Sequence, residues 1–125
     1  MVTTLNLRSL RPWATAAVLA LALPLASGAM RAYRDTPLAH FTAQDSKLFR
    51  DTLDDVLEHG ADGDTRHWSN AKTGAEGDVT ATATFKRGEV QCRTVKIRNA
   101  AGGLTSSGSY NLCKQANGQW KTPAS

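Results

Sequence analysis

The sequence predicts an α+β fold: one N-terminal amphipathic helix packed on an antiparallel β-meander of about four or five strands. Three observations predict it. Leu48, Phe49, Leu53, Val56 and Leu57 recur at helical spacing and form one apolar stripe. From Trp68 onward the apolar period becomes two. Glycine-bearing turn signals then divide the remaining chain into short runs.

The helix begins after Thr42, whose hydroxyl caps the first turn, and Asp45 stands three residues on, near the positive end of the helix dipole. Asp51, Asp54, Asp55 and Glu58 fall mostly opposite the stripe, as a solvated face or, alternatively, a cation site. His59 and Gly60 mark the C-terminal stop. The following "GADGDTR" is a turn or loop. Its Asp62-Gly63-Asp64 is not a calcium loop, because the twelfth position from Asp62, where a bidentate acid belongs, is Thr73.

Val79, Ala81, Ala83 and Phe85 alternate with Thr80, Thr82 and Thr84, as in a half-buried strand. Lys86-Arg87-Gly88 is the expected hairpin turn and Glu89–Arg98 the next strand. Asn99–Gly103 turns the chain, Ser106-Ser107-Gly108 continues a loose connection, and Ser109–Lys114 is a further strand. Asn117-Gly118 marks a tight turn before a short last strand at Gln119-Trp120-Lys121.

The N-terminus has the order of a secretory signal. Arg8 and Arg11 precede an uncharged apolar run, Trp13–Leu25, and then small residues. That run is 13 residues long, against roughly 20 for a membrane-spanning helix. Cleavage after Ala29 divides the chain into a signal peptide at 1–29, a lead-in at 30–41 and a domain at 42–125, with no transmembrane helix in the mature chain. The alternative is a retained N-terminal anchor. Gly28 stands where a lipoprotein would carry its acylated Cys, so no thiol is available there for a lipid.

Without residues 1–29 the chain has thirteen basic and eleven acidic side chains, a net of +2. Residues 30–78 carry −4 and residues 79–125 carry +6. The basic half is either a solvated sheet face balanced by the acidic helix or a surface for an anionic envelope component. For the second reading Lys96, Arg98 and Lys114 are the candidate contacts, with Arg93 placed by alternation on the opposite face. A specific nucleic-acid partner is not expected.

Cys92 and Cys113 are the only cysteines. In an exported chain such a pair reads as a disulfide, worth about 3 kcal/mol in the chain-entropy model. With Val95 and Ile97 facing the core, alternation puts Gln91 and Arg93 inside and Cys92, Thr94, Lys96 and Arg98 outside. Tyr110 and Leu112 inside put Cys113 outside, on the same face as Cys92. The alternative puts Val90 and Cys92 inside and needs a bulge near Arg93.

Trp68, Asn70, Thr73, Gly74 and Gly77 in "WSNAKTGAEG", then Cys92-Arg93, Tyr110, Cys113 and Asn117-Gly118-Gln119-Trp120, resemble the C-terminal domain of the 17-kDa outer-membrane surface antigen family. The resemblance runs from about Thr42 to Trp120. It implies an envelope location, at the outer membrane or in the periplasm. Gly28 departs from that family's lipoprotein pattern, and no glycine-zipper segment precedes the domain. Trp68, Asn70, Thr73, Gly74, Gly77, Gly118 and Trp120 are read as structural. Glycines supply turn angles, Asn70 and Thr73 close local side-chain to backbone bonds, and Trp68 packs on the helix stripe.

No catalytic set is legible. Ser69, His67 and an acid compose a triad only on paper, without a nucleophile elbow. Cys92 is no nucleophile once oxidised. His40, His59 and His67 lack metal-ligand spacing, so no metal or cofactor is expected. The reading is a non-catalytic exported envelope protein acting by contact with another envelope protein. The alternative is a soluble periplasmic binding or inhibitor module that uses a basic sheet face.

Overall fold

A computed structural model describes residues 25–123. Helix α1 (Leu25–Arg34) leads through a 3₁₀ turn at Pro37–His40 into helix α2 (Ala43–His59). Five strands follow: β1 (Thr65–Ser69), β2 (Glu76–Arg87), β3 (Val90–Ala101), β4 (Leu104–Lys114) and β5 (Trp120–Lys121). They form one antiparallel sheet in sequence order, the meander that the sequence predicts. Most of the expected signal peptide lies outside the described residues. The lead-in is more regular than its composition predicts, since α1 crosses residues 30–34 and Pro37 opens a helical turn. Pro at the first position of such a turn loses no bond, because its missing N–H would have had no partner there.

Thr42 and Asp45 form a reciprocal capping box at the start of α2. The stripe of α2 then covers β1, β2 and the middle of β3. Val56, Leu57, Val79, Ala81 and Val95 are its buried centre, with Phe49, Leu53, Ile97, Leu112 and Trp120 around them. Gly60 ends the helix with an ordinary negative φ. A β-carbon there would lie 2.7 Å from the Val56 carbonyl oxygen, so space and not backbone angle selects glycine.

The alternation in β2 breaks where the sequence does not show it. Ala81 pairs with Val95 and Ala83 with Thr94, which leaves Thr82 as an unpaired bulge. An extra residue turns every later side chain to the other face. Ala83 and Phe85 therefore leave the helix side, and Phe85 stands opposite Cys92. Thr84 takes the inner face instead and donates to Asp62 Oδ1 at 2.8 Å.

The turns are tighter than expected. Gly88-Glu89 closes β2–β3, two residues later than predicted, and β3 extends to Ala101. Gly102 and Gly103, with φ of 59° and 76°, make the whole β3–β4 turn, so residues 106–108 belong to a strand and not to a loose connection. Positive φ at both central residues matches the twist of paired strands and is nearly free only for glycine.

Cys92 and Cys113 are direct cross-strand partners joined by a disulfide. Arg93, Val95 and Ile97 face α2, so the strict alternation within β3 holds and both sulfurs lie on the far face. They are nonetheless buried, at 0% and 3% exposure. Tyr110 points to the helix side as expected but is 49% exposed, because α2 does not reach across β4.

The disulfide closes a loop 21 residues apart in sequence. Replacing both cysteines with alanine should lower stability by about 3 kcal/mol, read from urea unfolding. An unchanged midpoint would show that the β3–β4 ladder alone sets the register.

Candidate functional site

Two of the motif residues, Asn70 and Thr73, converge on one buried carboxylate. Asp45 is fully buried at the N-terminus of α2. Its Oδ2 accepts from the Thr42 backbone N–H at 2.8 Å. Its Oδ1 accepts from Asn70 Nδ2 at 2.7 Å and from Thr73 Oγ1 at 2.8 Å, both in the β1–β2 turn. The same turn is closed internally by Lys72 N–H to Asn70 Oδ1 at 3.1 Å. Gly74 completes it at φ 75°. The local bonds expected of Asn70 and Thr73 exist, but their main partner is 25 or 28 residues away.

Burial by itself raises the Asp45 pKa. Hydrogen bonds to the ionised form, led by the Thr42 backbone N–H and then Thr73 and Asn70, outweigh it and hold the pKa below the usual value.

Trp68 lies beside this lock. Its indole packs edge-on against Phe41, with centroids 5.2 Å apart and an interplanar angle of 84°, and against Phe49 at 6.2 Å. Trp68 Nε1 donates to the buried Asn99 Oδ1 at 3.2 Å, passing over Gly77, its cross-strand partner. A β-carbon at Gly77 would come within 2.5 Å of Trp68 Nε1 and of the Arg98 carbonyl. Gly77 is therefore required for clearance, and Asn99, expected in a turn, is the buried acceptor that the indole needs.

A second polar cluster holds the opposite end of α2. Arg93, 4% exposed, donates from Nη1 to the Val56 and Leu57 carbonyls at 2.9 and 3.1 Å, and from Nη2 to Asp62 at 3.1 Å. A guanidinium there satisfies the helix's last carbonyls and opposes the negative end of its dipole. Asp62 is held below its usual pKa by the Thr84 hydroxyl and then by Arg93. Glu58 accepts from Trp120 Nε1 at 2.7 Å and from Lys114 Nζ at 3.0 Å. Those two bonds, Trp120 first, depress its pKa. Lys114 Nζ also lies 5.8 Å from the Trp120 ring centroid. A shallow cleft of about 410 Å³, lined by Asp54, Glu58, Gly118, Gln119 and Trp120, lies over this cluster. Gly118, at φ 83°, makes the turn that brings Trp120 back to the helix.

The anionic-partner residues do not form one patch. Lys96 and Arg98 point away from α2, whereas Lys114 and Arg93 point toward it and are engaged with its acids or carbonyls. Arg98 lies 3.6 Å from Asp78 and 3.8 Å from Glu76. The opposite charges of the two chain halves therefore meet as ion pairs inside one domain. Lys96 alone of the four has no carboxylate within 4 Å among the described residues.

The outer sheet face is polar around His67, Asp78, Lys96 and Arg98, whereas its other end carries Phe85 and the buried Cys92–Cys113 disulfide. His67 Nδ1 lies 2.8 Å from Asp78 Oδ1, and both side chains are partly open to water. Ser69 follows on the same face, but no bond joins it to His67 among the described residues. His40 packs against Gly102 and His59 pairs with Asp55 at 3.3 Å, so the three histidines are not brought together. Among the described residues no three His, Cys, Asp or Glu side chains converge as a metal site.

The family model described as "17 kDa outer membrane surface antigen" matches residues 55–121. The chain is 32% identical over 79 residues to the 17 kDa surface antigen of Rickettsia prowazekii (strain Madrid E), a match that covers 62% of this chain and 50% of the relative. The chain thus spans about half the length of that curated relative. No solved structure matches it.

Asp45→Asn should cost about 2 kcal/mol at neutral pH, since it removes an ionised acceptor from three donors. Because the native pKa is depressed, this contribution is complete above about pH 5 and is lost as pH falls through the native pKa. Urea unfolding at pH 7 and near pH 3 should show the gap between the two proteins narrowing in acid. A gap independent of pH would count against an ionised Asp45. Gly77→Ala should destabilise by about 3 kcal/mol through overpacking and should blue-shift or broaden Trp68 emission.

Proposed function

The chain belongs to the 17 kDa outer membrane surface antigen family, and from that membership we propose that it is a non-catalytic, exported envelope protein acting by protein contact. In this reading residues 1–29 are a cleaved signal and residues 42–125 are the domain displayed at or near the outer membrane. One observation carries the reading. Asn70, Thr73, Gly77 and Trp120, the motif residues with distinctive chemistry, are engaged in bonds or clearances within the fold, and leave no assembled reactive group. The polar part of the outer face, around His67, Asp78, Lys96 and Arg98, is what the domain offers to its surroundings. No helix of the described residues is long and apolar enough to cross a membrane.

Cell fractionation with protease added to intact cells tests the location. Recovery with the outer membrane and cleavage from outside is the expected result. Release with the periplasmic contents, protected from protease, would make the relation to surface antigens one of fold alone. Replacing His67 with alanine should leave any measurable property of the domain within error except local stability. Loss of an enzymatic activity on that change would overturn the non-catalytic reading.

A further inference from the structure

The sheet is left open at β4. Register pairs on the side away from β3 stop at Cys113 and Lys114, where the two residues of β5 end the ladder. From Leu104 to Tyr110 the outer edge of β4 has no strand beside it among the described residues. The backbone groups on that edge can be assigned. Leu104 closes a two-residue hairpin with Ala101, so the even-numbered residues of β4 bond to β3. The odd-numbered ones face outward, as the Gln115 N–H bond to the Gln119 carbonyl at 2.7 Å bears out beyond the strand end. Thr105, Ser107 and Ser109 thus turn N–H and C=O groups to the open side, where among the described residues no strand pairs with them.

Such edges are ordinarily guarded by charge, proline or a bulge. Leu104–Tyr110 contains none of these. It has instead a pattern that reads nearly alike in both directions about Ser107: apolar, hydroxyl, small, hydroxyl, small, hydroxyl, aromatic. An apolar groove of about 260 Å³ lies on the helix side of this strand, lined by Leu38, Leu53, Ile97, Tyr110 and Leu112 among others. Tyr110 at its rim is 49% exposed.

We propose that the β4 edge is a homodimer interface, in which two copies pair antiparallel about a two-fold axis through Ser107. The assigned parity and the near-palindrome select this register. Thr105 pairs with Ser109 of the second copy, and Ser107 pairs with itself, so all the outward backbone groups of this stretch are matched. On the helix side Leu104 meets Tyr110 of the second copy, an apolar–aromatic pair at each end of the paired stretch. On the other side only hydroxyls meet, with no like charges opposed. One strand edge and a groove bury less than the roughly 800 Å² per partner of a standard interface, so the dimer is a concentration-dependent one. It holds whether or not the envelope reading does.

Sedimentation velocity of the purified protein, in the form that the cell accumulates, from about 1 μM to about 1 mM should show reversible dimerisation. Ser107→Lys and Ser107→Glu each oppose like charges across the axis and should weaken the dimer at least tenfold. Mixing the two variants should restore it. Ser107→Pro should abolish it without harm to the β3 ladder, because the lost N–H faces outward. A protein that stays monomeric throughout overturns the proposal. So does a dimer unchanged by Ser107→Lys, or a mixture no tighter than either variant alone. Ser107 is exposed on a polar face, so the lysine variant decides the matter even if the proline variant fails to fold.

Discussion

The buried carboxylate of Asp45 is the constraint on which the rest of the molecule depends. A charge taken out of water is tolerated only when its lone pairs are met. Here they are met by donors from two places: the residue that starts α2 and the turn that joins β1 to β2. The donors fix where the helix begins relative to the sheet. Once that is set, the stripe of α2 lands over Val79, Ala81 and Val95, and Trp68 lies between Phe41, Phe49 and Asn99. The clearance at Gly77 follows, because only a strand without a side chain at that point lets the indole cross.

The other end of α2 is held by different chemistry, and the difference has consequences. Arg93 reaches helix carbonyls and an exposed acid, and Lys114 and Trp120 share Glu58. The Asp62 and Glu58 carboxylates are partly open to water, so these pairs are screened and contribute modestly. Arg93 is the exception, being buried, and its Nε has no partner among the described residues. The charge asymmetry between the halves of the chain is thereby resolved. Much of it is neutralised internally, by cations of β3 and β4 against acids of α2, the following loop and β2. A net basic segment in a sequence is a surface property only after such pairs have been subtracted.

Elements whose information is local were legible in the sequence. The capping box, the helix stripe, the Gly60 stop and the placing of both cysteines on one sheet face each depend on residues within a few positions of one another. The cap residues Thr42 and Asp45 were visible as a helix start, yet the second task of Asp45 was not, because Asn70 and Thr73 lie 25 and 28 residues away. The bulge at Thr82 left no mark either. A run of alternating Thr and Ala or Val reads as one register until a single residue is left unpaired, and Phe85 then changes face. Tyr110 shows a related limit: alternation gives the side of the sheet, but exposure depends on how far the covering helix extends. Asn99 was hidden because an asparagine next to Ala-Ala-Gly-Gly carries a turn signal, whereas the turn needed only the two glycines.

The faces of the sheet thus divide the labour of the sequence. The inner face is committed to the helix, and Trp68, Asn70, Thr73, Gly77 and Trp120 lie there or in the turns that close it. Residues that meet the surroundings lie elsewhere: on the outer face, where Lys96, Arg98, His67 and Asp78 stand in water, and along the β4 edge. Changes there cost the fold little, since the His67–Asp78 and Arg98–Asp78 pairs are partly open to water and screened. The groups that hold the domain together are thus not the groups it presents to its surroundings.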